Sequence, residues 1–161
     1  KSLMVDARFE DSVEAPLFLG AEDQKDLIVI ATILQDAVFT RAKSTFNRKK
    51  REFSLLLNRF RWEDVNAAKA EKRQFERVQS LLVFSDVISI KTLGLDLEDA
   101  TTPLWLLTLQ WTSGQDGSGI ITLPLAGGST IAITVEAISA QLRDMTRPYF
   151  APSGLVPTHN I

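Results

Sequence analysis

The side chains that most often perform chemistry are scarce in this chain. It has no cysteine, which excludes thiolate nucleophiles and cysteine metal sites, and it has a single histidine, His159. His159 follows Pro157 by two residues in a proline-rich segment, a poor place for a positioned general base. The sequence therefore predicts no catalytic residues, no metal site and no cofactor, and the protein is predicted not to be an enzyme.

Two other segments carry residue types that could bind an ion or a phosphate. Asp96, Glu98 and Asp99 offer carboxylate oxygens of the kind that Mg²⁺ and Ca²⁺ prefer. Their spacing is not that of an EF-hand loop, so a solvated acidic loop is favoured. The glycine-rich segment 114–119 lacks the lysine and the serine or threonine of a phosphate-binding loop and separates two strand-like runs. It is predicted to be a hairpin turn.

Positive charge is concentrated in one part of the chain. Residues 41–77 hold twelve Lys and Arg against five acids, a net charge of +7, whereas the other residues sum to −9. Lys43, Arg48, Lys49, Lys50 and Arg51 fall where two early strands would be joined, and side chains in a turn can fan out around one patch. These five are the candidate anion-binding residues, for a polyanion, nucleic acid or an anionic membrane surface. A solvated turn is the alternative.

A second candidate group lies at the end of the next predicted strand. Arg59, Arg61, Trp62 and Glu63 combine the residue types that are enriched at protein-interaction hot spots. The structural alternative is an Arg–Trp stack with a salt bridge that fixes the following loop. Both interpretations remain open from the sequence.

A helix is predicted near the beginning of the folded part, at about residues 22–35. Acidic residues precede the apolar run, as they do at helix N-termini. Leu27, Ile30, Ala31 and Leu34 follow the i, i+3, i+4, i+7 spacing of one helix face. A buried strand is the competing interpretation, because most residues of this run are β-branched.

Strand signals dominate the middle of the chain. Phe53, Leu55 and Leu57 share one face of the second strand. The strand over 75–84 is expected to pair with that over 87–93, and the charged residues 61–73 and acidic residues 94–102 are expected to be loops. The predicted strands cover residues 37–41, 52–60, 75–84, 87–93, 104–111, 119–125 and 130–135.

The pattern near the C-terminus predicts a second, amphipathic helix. Val135, Ile138, Leu142 and Met145 fall on one helical face, and Pro148 would end the helix. The fold class is therefore α+β and mostly β, with about seven antiparallel strands between an N-terminal helix and a C-terminal amphipathic helix. This is the layout of a pleckstrin-homology-like barrel, in which basic residues of the first hairpin often bind phosphorylated head groups. An open α+β sheet with both helices on one face is the alternative.

The length of 161 residues suits one domain. Residues 1–15 are predicted to be a polar lead-in that need not be ordered, 16–147 a single α+β domain, and 148–161 a Pro-rich tail. The longest apolar run, 27–34, is far shorter than the roughly 18 residues of a membrane span. The cysteine-free composition and the acidic N-terminus favour a cytoplasmic location.

Three short segments together resemble an uncharacterised alphaproteobacterial family known as a domain of unknown function. They are AEDxxDL at 21–27 running to LQDAV at 34–38, NRFRWE at 58–63, and AGG at 126–128 followed by EAI at 136–138. The resemblance covers roughly residues 17–146. It implies a bacterial, cytoplasmic, single-domain protein, and no activity is assigned to the family.

The prediction for function is a non-catalytic protein-interaction or ligand-binding module. The alternative is an anion-binding protein that uses the basic stretch 43–51, and an enzyme with an unrecognised site comes third. A protein partner is expected ahead of nucleic acid or an anionic surface.

Overall fold

The structure, a computed structural model, describes residues 16–146 and 149–150. These residues form twelve strands and two helices, with single 3₁₀ turns at Arg41–Lys43 and Trp62–Asp64. The helices are α1 (Gln24–Ile33) and α2 (Val65–Glu71). The strands are β1 (Phe18–Ala21), β2 (Val38–Phe39), β3 (Ser44–Asn47), β4 (Glu52–Phe60), β5 (Glu76–Phe84), β6 (Val87–Leu93), β7 (Leu104–Trp105), β8 (Gln110–Ser113), β9 (Gly119–Pro124), β10 (Thr130–Val135), β11 (Ala140–Asp144) and β12 (Tyr149–Phe150).

Helix α1 confirms the predicted N-terminal helix. Its first turn is capped by Asp23, whose carboxylate accepts a hydrogen bond from the Asp26 amide at 2.8 Å. Leu27, Ile30 and Ala31 are buried, so the 3.6-residue period decides the structure over the β-branched composition.

The strands form two antiparallel sheets. The larger has the order β1-β11-β5-β4-β2-β7, with β3 also paired to β4 and β12 to β5, and the smaller has the order β6-β10-β9-β8. Apolar side chains of both sheets and of α1 form one core. Leu55 and Leu57 of β4, Leu82 of β5 and Ile133 of β10 are fully or almost fully buried in it. Among the described residues the pairing does not continue around into a closed barrel, so the mostly β class is confirmed without a pleckstrin-homology-like barrel.

The predicted pairing of β5 with β6 is wrong, because the chain leaves one sheet for the other between them. Asp86 has a φ of 56°, which turns the chain sharply. The neighbouring amide of Ser85 bonds to the Ser139 carbonyl, and the amide of Glu136 bonds to the Asp86 carbonyl. Strand β5 therefore pairs with β4 and β11, and β6 pairs with β10.

The predicted C-terminal helix is also wrong, since its core is strand β11 between β1 and β5. Leu142 and Ile138 are buried as predicted, but the Met145 side chain is 49% exposed. A two-residue period fits this segment as well as a helical one, because Ala140 and Leu142 are buried while the intervening Gln141 is exposed.

Two further boundaries differ from the expectation. The charged segment 61–73 is not a loop but contains α2, and Ala68 of that helix is fully buried. The strand predicted over 104–111 is split into β7, which joins the larger sheet, and β8, which joins the smaller one. Strands β8, β9 and β10 are consecutive and antiparallel, as the turn signals predict.

Candidate functional site

The turn between β3 and β4, residues 48–51, is called the basic turn here. Asn47 pairs with Glu52 at the base of this hairpin, and the Asn47 side chain accepts a hydrogen bond from the Lys50 amide at 3.1 Å. Asparagine is favoured at this place because its side chain can bond to the backbone of a turn. Arg51 completes the turn with a φ of 55°, the left-handed region. The sequence thus builds a defined turn whose four residues are all basic.

A cavity of about 230 Å³ lies beside the basic turn. The turn contributes two arginines to its wall, β3 an aromatic ring, the start of β6 two aliphatic side chains, and the segment after β10 a carboxylate. The lining residues are Phe46, Arg48, Arg51, Val87, Ile88 and Glu136.

Backbone hydrogen bonds join the walls of this cavity. The Val87 amide donates to the Arg51 carbonyl at 2.9 Å, which ties β6 to the basic turn. The pairing of β10 with β6 shifts register between Thr134 and Val135, so Ile88 is the extra residue of a β-bulge. Its side chain is 52% exposed. The bulge thus presents an apolar side chain at the cavity instead of in the core.

The charges of the basic turn are only partly compensated. Arg51 Nη2 lies 2.8 Å from Glu136 Oε1, and the two side chains are 43% and 56% exposed. The Arg48 guanidinium lies 5.4 Å from the centroid of the Phe46 ring, a cation–π distance. Within the part of the chain that the structure describes, Arg51 is the one member of the turn with a salt bridge. Lys49 and Lys50 are exposed.

Lys43 lies apart from the other four candidate anion-binding residues. It ends the 3₁₀ turn that precedes β3, whereas the basic turn follows β3. Four strand residues rise by about 13 Å, so Lys43 and the basic turn lie at opposite ends of β3. Lys43 does not line the cavity.

The second candidate group lies at the other end of β4, where Arg59 is fully buried. Its guanidinium bonds to both carboxylate oxygens of Asp144 at 3.1 Å and to both of Glu63 at 2.9 Å. Its Nε donates to the Ser80 hydroxyl at 3.1 Å. Asp144 also accepts the Leu17 amide at 2.8 Å. This group, with the two arginines described next, is called the arginine network.

Two more arginines extend the arginine network. Arg61 bonds to Glu76 at 3.0 Å. Arg73 bonds to Asp64 with two nitrogens, each at 2.6 Å, and also to Glu71 and Glu76. Most of these partners cannot be predicted from the sequence, because they come from separate elements, β5, α2 and β11, that only the tertiary structure brings together.

Ionisation in the arginine network follows from these contacts. Burial by itself raises the pKa of Glu63, but the hydrogen bonds and charge of Arg59 outweigh it and hold that pKa below its usual range. The Arg73 hydrogen bonds lower the pKa of Asp64 despite burial. Burial and the neighbouring Asp64 carboxylate raise the pKa of Glu76.

Trp62 lies at the start of the 3₁₀ turn after β4 and connects this turn to the segment that follows α1. Its indole N–H donates to the Gln35 carbonyl at 2.8 Å. Its ring meets Phe60 edge-on, with centroids 4.8 Å apart. The side chain is partly exposed, so it both packs and faces solvent. Its predicted role as a recognition anchor stays a prediction.

The acidic residues 96–99 and the glycine-rich segment have local structural roles. Asp96 and Asp99 accept hydrogen bonds from backbone amides of their own loop, and the Thr102 hydroxyl and the loop amides lower the pKa of Asp99. Across the described residues no three His, Cys, Asp or Glu side chains are grouped to hold a metal ion. Residues 114–118 form the turn between β8 and β9, and Gly119 begins β9. His159 lies outside the described residues.

Sequence comparisons place the chain without assigning it an activity. No helix among the described residues is long and apolar enough to cross a membrane. No curated protein matches the chain. A family profile described as "Protein of unknown function (DUF2948)" matches residues 17–159, which is most of its length. The chain therefore belongs to the DUF2948 family.

Proposed function

We propose that this domain is a non-catalytic binding module that takes an anionic ligand at the basic turn. The observation that carries the proposal is the cavity beside the turn, which Arg48 and Arg51 line together with apolar side chains. Small-molecule sites commonly combine apolar walls with a few polar groups that fix the orientation of the ligand.

The basic turn is suited to this role because three of its four charged side chains are exposed and the fourth, Arg51, is partly exposed. Arg48, Lys49 and Lys50 have no salt bridge among the described contacts and are exposed. Arg51 has one, to a carboxylate that is itself 56% exposed. An arginine fork can bind a carboxylate or phosphate with two parallel hydrogen bonds, so an incoming anion has donors available.

The backbone of the site is held before any ligand arrives. The bond from the Val87 amide to the Arg51 carbonyl and the Asn47 side-chain bond fix the two sides of the turn. A site held in this way loses less conformational entropy when it binds. The cysteine-free composition supports a cytoplasmic setting for the module. The proposed module is a bacterial protein.

The proposal is tested by retention on heparin at low salt, followed by mapping of amide chemical shifts during a titration with inorganic phosphate. The triple variant Lys49→Gln/Lys50→Gln/Arg51→Gln should elute from heparin at a much lower salt concentration than the wild type. Phosphate should shift the amides of the basic turn and of Ile88. Retention should also weaken steeply with salt, because screening acts strongly on exposed charges.

A matched control removes the same charge elsewhere. Lys25, Lys69 and Lys72 are exposed lysines on or next to the two helices, and their triple change to Gln lowers the net charge by the same amount. If both triple variants elute together, retention depends on overall charge and the proposed site is wrong.

A further inference from the structure

Strand β6 is an edge strand, and the cavity lies at its beginning. Among the described residues β6 pairs with no strand other than β10. On its other side the Val87 amide bonds to the Arg51 carbonyl, and beyond Val87 that side is open to another strand. Lys91, Thr92 and Leu93 in its second half are exposed. An edge strand with free N–H and C=O groups is a template on which an extended peptide can add.

The direction of β6 determines which end of such a peptide would reach the cavity. Val87 and Ile88 are the first residues of β6, and both line the cavity. A strand that adds antiparallel to β6 ends where β6 begins. Its C-terminus would therefore lie at the cavity, beside Arg48 and Arg51.

The salt bridge of Arg51 indicates the chemistry that this end can carry. Glu136 places a carboxylate oxygen 2.8 Å from Arg51 Nη2 at the cavity wall. A carboxylate is thus already accommodated there, on a side chain exposed enough to move aside. The α-carboxylate of a peptide has the same charge and geometry and would take the place of Glu136.

The remaining wall of the cavity suits an apolar side chain. Phe46, Val87 and Ile88 supply it. The volume of about 230 Å³ is below the range of about 300–1,000 Å³ usual for drug-sized ligands. A space of this size fits one end group of a ligand.

We infer that the site binds the C-terminus of an extended peptide. The α-carboxylate contacts Arg48 and Arg51, the last side chain is apolar and enters the cavity, and the peptide backbone adds to β6 as an antiparallel strand. This inference rests on the proposed function and narrows its anionic ligand to a protein terminus.

The test begins with selection of random octapeptides, displayed with free C-termini, on the purified domain. We expect selected sequences to share an apolar last residue. Synthetic copies are then compared with the same peptides bearing a C-terminal amide. Amidation should weaken binding about tenfold or more, because it removes hydrogen bonds to a charged group. Equal binding of acid and amide, or no selected sequence, would overturn the inference.

Three variants separate the parts of the inferred site. Arg51→Gln should weaken peptide binding about as much as amidation does. The control Lys72→Gln, at the end of α2 and outside the cavity lining, should leave peptide binding unchanged. Glu136→Gln should tighten binding by up to about fivefold, the range of an exposed salt bridge. Weaker binding by the Glu136 variant would contradict displacement.

Hydrogen exchange tests the added strand independently of affinity. The open-edge amides of β6 should exchange more slowly when the selected peptide is bound, and those of β8, the other edge of the same sheet, should not change. Slowing confined to the basic turn would overturn the strand addition. If heparin retention maps to the basic turn but no peptide binds, the inference fails and the proposed function stands; if both fail, so does the proposed function.

Discussion

The two ends of strand β4 use arginine in opposite ways. Directly before it, Arg51 is 43% exposed and has one salt bridge, to Glu136, whose side chain is 56% exposed. At its end, Arg59 has no exposed surface and bonds to Asp144, Glu63 and Ser80. Both residues are arginines, one directly before β4 and one near its end, and they differ in burial and in the number of partners.

This difference separates a structural charge from one available to a ligand. A buried guanidinium must be satisfied within the fold, because an unpaired buried charge is very costly. The arginine network uses carboxylates from four elements for this purpose, the 3₁₀ turn Trp62–Asp64, α2, β5 and β11. Arg48, Lys49 and Lys50 of the basic turn need no such partners, because water solvates exposed charges. An exposed ion pair such as that of Arg51 with Glu136 can be exchanged for an incoming anion at small cost.

The largest loss of stability is expected from Arg59→Leu. Removing this guanidinium leaves Asp144, whose side chain is 4% exposed, without its counter-charge. The free energy of unfolding should fall by about 3–5 kcal/mol, as is usual when one partner of a buried pair is lost. Urea denaturation measures this, with Arg51→Leu as the control at the other end of β4. A similar, small loss for both variants would remove the distinction drawn here.

Trp62→Ala should have the next largest effect on stability. The change removes the indole bond to Gln35 and the edge contact with Phe60. We expect a loss of about 1–2 kcal/mol, less than for a fully buried aromatic residue because Trp62 is partly exposed. Trp62→Phe keeps ring packing without the N–H and should fall between. Unchanged stability with loss of a co-purifying protein would instead make Trp62 a recognition anchor.

Glu63→Gln tests the arginine network through its pH dependence. The folded protein holds the pKa of Glu63 below its usual range, so its carboxylate stabilises the fold above the unfolded pKa of about 4.3. That contribution is lost as the pH falls through the lower, folded pKa. The free energy of unfolding of the wild type should therefore exceed that of the variant by about 1 kcal/mol at pH 7. This difference should disappear under acidic conditions.

The matching variant at the other end of β4 is Glu136→Gln. Glu136 is 56% exposed, so its replacement should lower the free energy of unfolding at pH 7 by less than Glu63→Gln does. Urea denaturation at pH 7 compares the two variants. An equal loss of stability for both would show that burial does not separate the two ends.

The sequence predicts the basic turn far better than the arginine network. Consecutive residues 48–51 are local, and a turn between two strands needs only local signals. Arg59, Ser80 and Asp144 meet because β4, β5 and β11 are neighbours with their registers aligned. That information is non-local, and the mistaken helix over β11 hid it, since a helix would not have placed Asp144 beside Ser80.

The non-local origin of these contacts also explains which elements of the fold are predicted wrongly from the sequence. Helix α1 and strand β4 have long periodic patterns with clear ends, and both are predicted. Strands β5 and β6 are also recognised, but their separation depends on a corner that hydrogen bonds to Ser139 and Glu136 hold in place. The cavity arises from this corner and from the bulge at Ile88, so no segment read alone could reveal it.

The smallest effect on stability is expected from Arg51→Gly, although its effect on binding should be large. Arg51 has a φ of 55°, a conformation that costs a non-glycine residue about 1–2 kcal/mol. Glycine removes this cost but loses more chain entropy on folding, and the exposed salt bridge to Glu136 is lost as well. These terms nearly cancel, so the free energy of unfolding should stay within about 0.5 kcal/mol of the wild type. Heparin retention should nevertheless fall, because the cavity loses one of its two arginines. A stability loss approaching that of Arg59→Leu would mean that Arg51 serves the fold, and the two ends of β4 would then be alike.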